Sequence, residues 1–530
     1  MFPATVARAA LVVIAILFLG IATPGCAKKR EWNKKEARVH RQEDKKAFQD
    51  RKQENFNTEA YDRIVENPYQ LALNHPLSTF SIDVDTAAYS NVRRFLNEGQ
   101  LPPKDAVRIE EFINYFPYQN PPPQWEHPIA LRAEVAECPW NSKHQLVRIG
   151  LQGKRIAPEE MPPRNLVFLI DTSGSMAPPN RLPLLLTALR LLVQQLNTRD
   201  RVAIVTYAGS AGLALPSTPG NQQETILAAL DRLHASGSTN GGEGIVLAYR
   251  QAQENFIKGG ANRVILGTDG DFNVGVTNRG DLVRLIEEKR KTGVFLSVLG
   301  FGMGNYKDAT LEELARHGNG QHAYIDSFAE AKKVFVQDIA NLVPIAKDVK
   351  VQVEFNPTFV QAYRLIGYEN RLLRAEDFND DSKDAGDMGA GHTVTALYEV
   401  VPPGIPLDLP KVDALKYQKK TQPAAAADSP ELCTIKVRYI LPDETKSKLL
   451  TLPLKNRRPS VAEASADFRF TAAVASFAMI LRDSPHKGSA SLQQVLQLAR
   501  DAGQFDPGGH RAEFIQLVRT AQRLSVQQRQ

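Results

Sequence analysis

The sequence has few cysteines and lacks the clustered soft ligands that zinc sites require. Among 530 residues there are three cysteines, at positions 26, 138 and 433, and no CxxC pair occurs. This spacing argues against a structural zinc site, which is built from closely spaced thiolates and imidazoles. The ten histidines are scattered and form neither HxH nor HExxH. The sequence therefore lacks the common histidine-based motif of metal-dependent proteases.

The sequence also lacks the basic and aromatic pattern of a nucleic-acid binder. The formal net charge is +6, but much of the basic excess lies near the N-terminus. No stripe of interleaved aromatic and basic residues follows, and such a stripe is what a single-strand binder needs. We therefore expect no nucleic-acid partner. Hydrophobic residues make up 43% and charged residues 23%, which is typical of a globular protein, and the length indicates several domains.

The apolar run near the N-terminus is too short for a comfortable membrane span. It extends from Leu11 to Ala22, follows Arg8, and ends in small residues before Cys26, as in an export signal. The Gly25-Cys26 ending resembles a bacterial lipoprotein signal, in which the cysteine is lipidated. We predict a signal peptide at 1–25 and a charged tether at 26–75, in a protein anchored in the bacterial cell envelope. An ordinary signal peptide and an uncleaved anchor remain as alternatives.

The other two cysteines, Cys138 and Cys433, allow two interpretations. In an oxidising compartment they form a candidate disulfide. Alternatively, both are buried free thiols. Sequence alone does not place the two residues side by side.

Strands alternate with helices between residues 163 and 345. Leu166–Ile170 and the runs at 201–207, 264–268 and 294–300 are apolar, strand-like segments. Helical patterns separate them, and a final helix is predicted at 329–342. Such alternation predicts an α/β domain with a doubly wound, Rossmann-like parallel sheet covered on both faces.

Regions with β patterns flank this α/β domain. They comprise an N-terminal domain at 76–162 and a β-rich domain at 346–462, and a helical region follows at 463–530. We predict that the β runs before and after the α/β domain pair into one β-sandwich, with the α/β domain inserted between them.

The segment DTSGS follows the first strand of the α/β domain. Asp171, Ser173 and Ser175 supply one carboxylate and two hydroxyls at alternate positions of a tight turn. These hard oxygen donors suit Mg²⁺ or Mn²⁺ and not a soft metal. The carboxyl ends of parallel strands are also where doubly wound sheets bind ligands. The sequence therefore predicts a metal site at the end of this strand.

This motif resembles the metal-ion-dependent adhesion site of von Willebrand factor type A domains. The family also uses a threonine and an aspartate from two later loops, and GSTNG and GTDG supply Thr239 and Asp269. The resemblance implies that Ser173, Ser175 and Thr239 contact the metal directly. Asp171 and Asp269 would then act largely through water. The cation, Mg²⁺ or alternatively Mn²⁺ or Ca²⁺, would keep a position open for an Asp or Glu of a partner protein.

The resemblance extends beyond the α/β domain to the YfbK-like family of bacterial lipoproteins. The segments that carry it are STFSIDVDTAAYSNVRRFL at 78–96, TDGDFNVG at 268–275 and EDFNDDSKDAGDMGAGHTVTALYEV at 376–400. This family places a type A domain between two other units. The resemblance implies an architecture and no reaction.

A second acidic motif, Asp83-Val84-Asp85-Thr86, is similar to the nucleophile loop of aspartate-based phosphatases. The position after Thr86 is Ala87, where that loop has threonine or valine, and the partner loops are missing. A strand end followed by a helix cap explains these residues more simply.

We therefore expect a metal-dependent protein-binding module in the cell envelope and not an enzyme. Two alternatives remain. One is a metal-dependent envelope hydrolase, which would need a general base beside the metal. The other is a structural protein whose metal only stabilises the fold.

Overall fold

The apolar run at residues 166–170 lies fully buried in the middle of a parallel sheet. The computed structural model of the protein describes residues 59–124, 126–237, 241–270, 279–407 and 429–527. The predicted signal peptide, Cys26 and most of the charged tether lie outside the described residues.

The regular elements follow one another along the whole described chain. The strands are β1 (Gln70–Leu71), β2 (Leu77–Ser81), β3 (Ile129–Cys138), β4 (Asn141–Gly153), β5 (Arg164–Asp171), β6 (Arg201–Tyr207), β7 (Ala211–Pro219), β8 (Ala261–Thr268), β9 (Phe295–Gly300), β10 (His322–Tyr324), β11 (Pro344–Phe355), β12 (Ala362–Ile366), β13 (Leu372–Leu373), β14 (Gly386–Gly389), β15 (Thr393–Val401), β16 (Glu431–Ile440) and β17 (Ser447–Lys455). The helices are α1 (Ala87–Asn97), α2 (Ile109–Asn114), α3 (Leu182–Val193), α4 (Gln223–Asp231), α5 (Gly241–Glu254), α6 (Arg279–Arg290), α7 (Asp308–His317), α8 (Phe328–Lys332), α9 (Ala466–Arg482), α10 (Leu492–Asp501) and α11 (His510–Gln527).

The α/β domain is built on a sheet with the strand order β10-β9-β8-β5-β6-β7. Strand β5 pairs in parallel with β6 on one side and with β8 on the other. Its side chains alternate between two cores. Leu166, Phe168 and Ile170 face one set of helices, and Val167 and Leu169 face the other. A strand buried on both faces is apolar throughout, which confirms the predicted doubly wound sheet.

Two details of this domain differ from the prediction. Strand β7 is an antiparallel edge strand on β6 that the sequence pattern did not reveal. The helix predicted at 329–342 ends at Lys332, and a π-helical turn at 333–337 and a 3₁₀ turn at 339–342 follow. In the π turn the amide of Asp338 donates to the carbonyl of Lys333, five residues earlier, at 2.9 Å. The hydrogen bonds between residues four apart that the predicted α-helix would have are lost in this turn.

The β runs on either side of the α/β domain share two sheets. One sheet has the order β1-β12-β15-β4-β3 and the other has β13-β2-β11-β16-β17, with β14 paired to β11. Strand β4, before the α/β domain, pairs with β15 after it, and β2 pairs with β11 in the same way. The predicted pairing across the insertion is therefore confirmed.

The two sheets enclose one apolar core, and helices cover the outer face of the first sheet. Val147 and Ile149 of β4 point into the core between the sheets, whereas Leu146 packs against the C-terminal helices. Helix α9 is buried on nearly all sides, and its first turn is capped by Ser465, whose hydroxyl accepts from the amide of Phe468 at 3.1 Å. None of the helices in the described ranges combines the length and apolar character that a membrane crossing requires.

The candidate disulfide between Cys138 and Cys433 is absent, which corrects the first of the two interpretations. Both residues are free and 1% exposed. Cys138 packs in the core beneath the C-terminal helices, whereas Cys433 packs in the core between the two sheets. The two thiols serve as small apolar side chains in different cores.

We expect neither thiol to react with a thiol-specific disulfide reagent while the protein is folded. Burial raises the pKa of Cys433 to about 12 and also raises the pKa of Cys138, so the reactive thiolate is scarce. The measurement counts reactive thiols before and after unfolding in guanidinium without reductant, with Cys26 replaced by serine. Two thiols are expected to appear on unfolding, and none would appear if the disulfide existed.

Candidate metal centre

The DTSGS segment begins at the carboxyl end of β5, between the ends of β6 and β8. The chain passes from β5 to β6 on one side and later returns to β8 on the other. The strand order therefore reverses at Asp171. A crevice at such a reversal is the usual ligand site of a doubly wound sheet, and the motif lies where the sequence placed it.

The carboxylate of Asp171 is buried and held on both oxygens. Its Oδ1 accepts from the amide of Ser173 at 2.9 Å. Its Oδ2 accepts from the hydroxyls of Thr268 at 2.9 Å and Tyr207 at 3.3 Å. Burial raises the pKa of Asp171 to about 6, although the hydrogen bonds from Ser173 oppose this shift, and the charge of Asp269 adds to it. A nearby cation favours the ionised form of such a group.

The two predicted hydroxyl ligands lie beside each other. A 3₁₀ turn at Gly174–Met176 follows Ser173 and places the Oγ atoms of Ser173 and Ser175 3.0 Å apart. Met176 points into the core and is fully buried, so it acts in packing. The turn therefore presents two neutral oxygen donors on one side.

The second loop lies against the first, although Thr239 itself is outside the described residues. The amide of Gly174 donates to the carbonyl of Gly237 at 3.0 Å, and the amide of Ser236 donates to the carbonyl of Thr172 at 2.7 Å. Gly237 has a φ of 80°, a conformation that favours glycine. These contacts bring the residues just before Thr239 to the DTSGS turn.

The third loop contributes Asp269, directly after β8, and pairs it with an arginine. Asp269 is fully buried, and its Oδ2 accepts from Nη1 of Arg181 at 2.6 Å. The same Nη1 donates to the carbonyl of Ser175, and Nη2 donates to the carbonyl of Met303, both at 2.7 Å. Gly302 leaves room for this side chain, because a Cβ there would lie 2.3 Å from Arg181 Nε.

Arg181 is the site residue that the sequence reasoning missed. It lies just before α3, ten residues beyond the start of the motif, and no local pattern marks it as part of the site. A basic residue at the start of a helix is unfavourable for the helix dipole. That mismatch is the signal that could have drawn attention to it.

The described donors fit a hard divalent cation. They comprise the Ser173 and Ser175 hydroxyls, 3.0 Å apart, and the nearby carboxylates of Asp171 and Asp269. All are oxygens, and no sulfur or imidazole is among them, as Mg²⁺ and Mn²⁺ prefer. The guanidinium of Arg181 already supplies a positive charge to Asp269, so a metal would have to share that carboxylate with it.

Another acidic cluster lies far from the motif in sequence, at the end of β2. Asp83, Asp85 and Glu111 are buried and bring carboxylate oxygens within 4.8 Å of one another. Arg371 donates to Asp83 at 3.0 Å and to Asp85 at 3.1 Å, and Arg108 pairs with Glu111. Two guanidinium groups therefore already compensate this cluster.

The helix cap expected after β2 also takes a different form. Thr86 makes no side-chain bond to the first turn of α1. Asp85 accepts instead from the amide of His322 at 2.6 Å, and Glu111 accepts from the amide of Ala88 at 2.7 Å. A carboxylate from α2 thus caps α1, and Asp85 joins the N-terminal domain to the α/β domain.

Three family profiles match the chain in succession. A profile described as von Willebrand factor matches residues 55–148, and one described as von Willebrand factor type A domain matches residues 165–339. A profile described as the C-terminal part of the uncharacterized protein YfbK matches residues 340–524.

Individual relatives cover the chain to very different extents. The uncharacterized protein YfbK of Escherichia coli (strain K12) is 46% identical over 475 residues, which is 88% of this chain and 82% of YfbK. Inter-alpha-trypsin inhibitor heavy chain H4 of Sus scrofa is 29% identical over 235 residues, which is 42% of this chain and 25% of that protein. Among solved structures, a von Willebrand factor type A protein from Catenulispora acidiphila is 15% identical and covers 70% of this chain and 87% of its own, with a TM-score of 0.40.

Proposed function

Since this chain belongs to the YfbK family of von Willebrand factor type A proteins, we propose that it is a metal-dependent adhesion protein of the bacterial cell envelope. The type A domain is a protein-interaction domain, so a protein partner is the expected ligand. The finer statement, that a bound cation captures an acidic side chain of that partner, rests on the metal centre described above.

The observation that carries the proposal is the pair of hydroxyls, Ser173 Oγ and Ser175 Oγ, 3.0 Å apart in the turn that follows the buried Asp171. Ser173, Ser175 and Thr239 would hold Mg²⁺ directly, and the two aspartates would hold it largely through water. Hydroxyls carry no charge, so the bound cation would supply an unneutralised positive charge that attracts a carboxylate. A partner's Asp or Glu side chain has the matching chemistry.

The surroundings of the hydroxyls favour binding over hydrolysis. In the described part of the chain, no histidine, lysine or glutamate forms a hydrogen bond with Ser173 Oγ or Ser175 Oγ, and the two bond to each other. A hydrolase would need a general base within reach of a metal-bound water. The basic residue that does lie at the site, Arg181, already donates to Asp269 Oδ2 and to the carbonyl of Ser175.

The test is capture of envelope proteins by the full-length chain in Mg²⁺ and in EDTA. We expect a set of partners to be lost in EDTA and to be lost equally from an Asp171→Ala variant in Mg²⁺. Asp231→Ala is the matched control, because Asp231 is an exposed aspartate of the same domain whose ion pair, with Arg190, lies at the surface. Identical partner sets in all conditions would refute the adhesion proposal.

The same variant separates adhesion from a purely structural metal. If the metal only stiffens the loops, Asp171→Ala lowers the melting temperature but leaves the partner set unchanged. If it mediates adhesion, the partners are lost under conditions in which the variant is still folded.

We also propose that Cys26 carries a lipid that holds the protein at the membrane. The support is the sequence: a short apolar run, small residues and Gly25 before the cysteine. We expect radiolabelled palmitate fed to cells to label the wild type and not a Cys26→Ala variant. An unlabelled wild type would remove the anchor but would leave the metal-dependent adhesion untouched.

A further inference from the structure

Glu110, the second residue of α2, is a buried carboxyl group with an unpaired oxygen. Its side chain lies in a residue that is 1% exposed, and its Oε2 finds no hydrogen-bond partner among the described residues. The neighbouring Glu111, by contrast, accepts from the amide of Ala88 and pairs with Arg108. A buried, unpaired carboxyl group costs far more free energy when ionised than when protonated. The charged groups around Glu110 therefore decide which form it takes.

The arginines of this region already pair with other carboxylates. Each of the three arginine side chains is at most 9% exposed. The pairs are Arg108 with Glu111 and Asp308, Arg371 with Asp83, Asp85 and Glu312, and Arg482 with Glu369. The region therefore contains more carboxylates than guanidinium groups, and Glu110 belongs to none of these pairs.

Glu110 lies where the N-terminal domain packs against the β-rich domain. The contact is with the turn at 367–371, which follows β12. A Cβ at Gly367 would lie 2.5 Å from Glu110 Oε2 and 2.9 Å from the amide nitrogen of Glu110, so only glycine allows this approach. The side-chain amide of Asn67 donates to the carbonyl of Gly367 at 2.8 Å and holds the turn in place. The two domains thus meet directly at this carboxyl group.

The groups that face Glu110 are mostly acidic. They are Glu111 of α2, Asp83 of the segment after β2, Glu369 and the neutral phenol of Tyr368 in the turn after β12, and Arg482 at the end of α9. Burial raises the pKa of Glu110 to about 8, the charges of Glu369 and Asp83 add to this shift, and Arg482 opposes it. Burial and like charges both disfavour the ionised form, so Glu110 keeps its proton at neutral pH.

We propose that Glu110 makes the contact between the N-terminal domain and the β-rich domain sensitive to pH. While Glu110 is protonated, α2 lies against the turn after β12 without an unpaired charge between them. When Glu110 ionises, its charge is repelled by Glu369, Asp83 and Glu111, and the contact between α2 and the turn loosens. None of these residues belongs to the DTSGS turn or its partner loops, so the effect is independent of the metal centre.

The direction of the pH effect follows from proton binding. In the unfolded chain a glutamate titrates at about pH 4.3, whereas Glu110 in the folded protein holds its proton up to about pH 8. Between these two values the folded state binds one more proton than the unfolded state, so its stability falls as the pH rises. A carboxylate with a lowered pKa, such as Asp308, has the opposite effect.

The test compares the wild type with Glu110→Gln in the full-length chain. Glutamine has the shape of protonated glutamic acid and does not ionise. We expect the unfolding equilibrium constant in guanidinium to increase at least about tenfold more between pH 5 and pH 9 for the wild type than for Glu110→Gln, the change that one unit of pKa shift produces. All other titrating groups are common to both proteins. Glu254→Gln is the control, because Glu254 is exposed, and it should follow the wild type.

Hydrogen exchange, corrected for the intrinsic effect of pH on exchange rates, locates the loosening. In the wild type, we expect the amides of α2 and of the turn at 367–371 to lose at least about tenfold protection between pH 5 and pH 9, the same factor as for one pKa unit. Glu110→Gln should keep that protection, and the amides of the central strand β5 should stay protected in both proteins. Unchanged protection of α2 and the turn in the wild type would overturn the proposal. So would an equal loss in Glu110→Gln, or an equal pH dependence of unfolding in the two proteins.

Discussion

Replacing Arg181 by methionine is expected to tighten Mg²⁺ binding at the proposed metal centre by at least about tenfold. The reason is that a fixed positive charge shifts the ionic equilibria of a neighbouring carboxylate by roughly 1–3 log units. In the wild type, the guanidinium of Arg181 lies 2.6 Å from Asp269 Oδ2 and competes with any cation for that carboxylate. Methionine keeps much of the side-chain volume and removes the charge. Titration calorimetry of the full-length chain with Mg²⁺, and with Mn²⁺ as a second probe, measures the change.

Two further variants separate the charge of Arg181 from its hydrogen bonds. Arg181→Lys keeps the charge but loses the planar guanidinium, whose two terminal nitrogens donate to the carbonyls of Ser175 and Met303. Because the charge is kept, the Mg²⁺ affinity of this variant should stay near that of the wild type. Arg199→Met removes an exposed charge from the same domain and should change nothing. Weaker binding in Arg181→Met would mean that Arg181 positions Asp269 and does not compete with the metal. Absence of Mg²⁺ binding in every variant would instead count against the proposed function itself.

The part of the candidate metal centre that the sequence predicted is the part built by local chain geometry. Asp171, Ser173 and Ser175 belong to one turn, and the amide of Ser173 closes that turn on Asp171 Oδ1. The three side chains converge because they occupy alternate positions of this turn. Arg181 contacts Asp269, which is 88 residues away in the sequence. No periodicity encodes that contact, so local pattern reasoning missed it.

The same distinction holds for the fold. The run at Leu166–Ile170 is apolar at every position, and this pattern indicated a central parallel strand correctly. The edge strand β7 alternates weakly and is only partly buried, so the sequence carried little signal for it. The absence of the Cys138–Cys433 disulfide depends on which core each cysteine enters, and sequence spacing does not determine that.

The ion pairs that join the domains are long-range contacts of this kind. Arg108, in the N-terminal domain, donates to Asp308 at the start of α7, 200 residues later, and also pairs with Glu111. All three side chains are at most 9% exposed. The acidic motif at Asp83 and Asp85 holds Arg371 of the β-rich domain in the same region. The phosphatase-like motif is thus part of a buried charged junction between domains.

Replacing Arg108 by methionine is expected to destabilise the folded protein by about 3–5 kcal/mol, the usual cost of removing one partner from a buried ion pair. The variant leaves the carboxylates of Asp308 and Glu111 buried without their common cation. Thermal and guanidinium unfolding at pH 7 would measure the loss. Arg279→Met is the matched control, because Arg279 also joins the N-terminal segment to α7, through Asp62 and Glu313, but is 40% exposed. An exposed pair of this kind contributes at most about 1 kcal/mol.

The pH dependence of the loss identifies its cause. In the wild type, burial alone would raise the pKa of Asp308, but Arg108 outweighs burial and holds that pKa below its ordinary value. The stability that the Arg108–Asp308 pair contributes is present at neutral pH and is lost as the pH falls through the lowered pKa of Asp308. Without Arg108, burial dominates and the pKa of Asp308 rises. The cost of burying an unpaired, ionised Asp308 is then present at neutral pH and is relieved as the pH falls and the carboxylate is protonated. The Arg108→Met variant should therefore be less destabilised at pH 5 than at pH 8. A loss that is equal at both pH values would assign the effect to lost packing and not to buried charge.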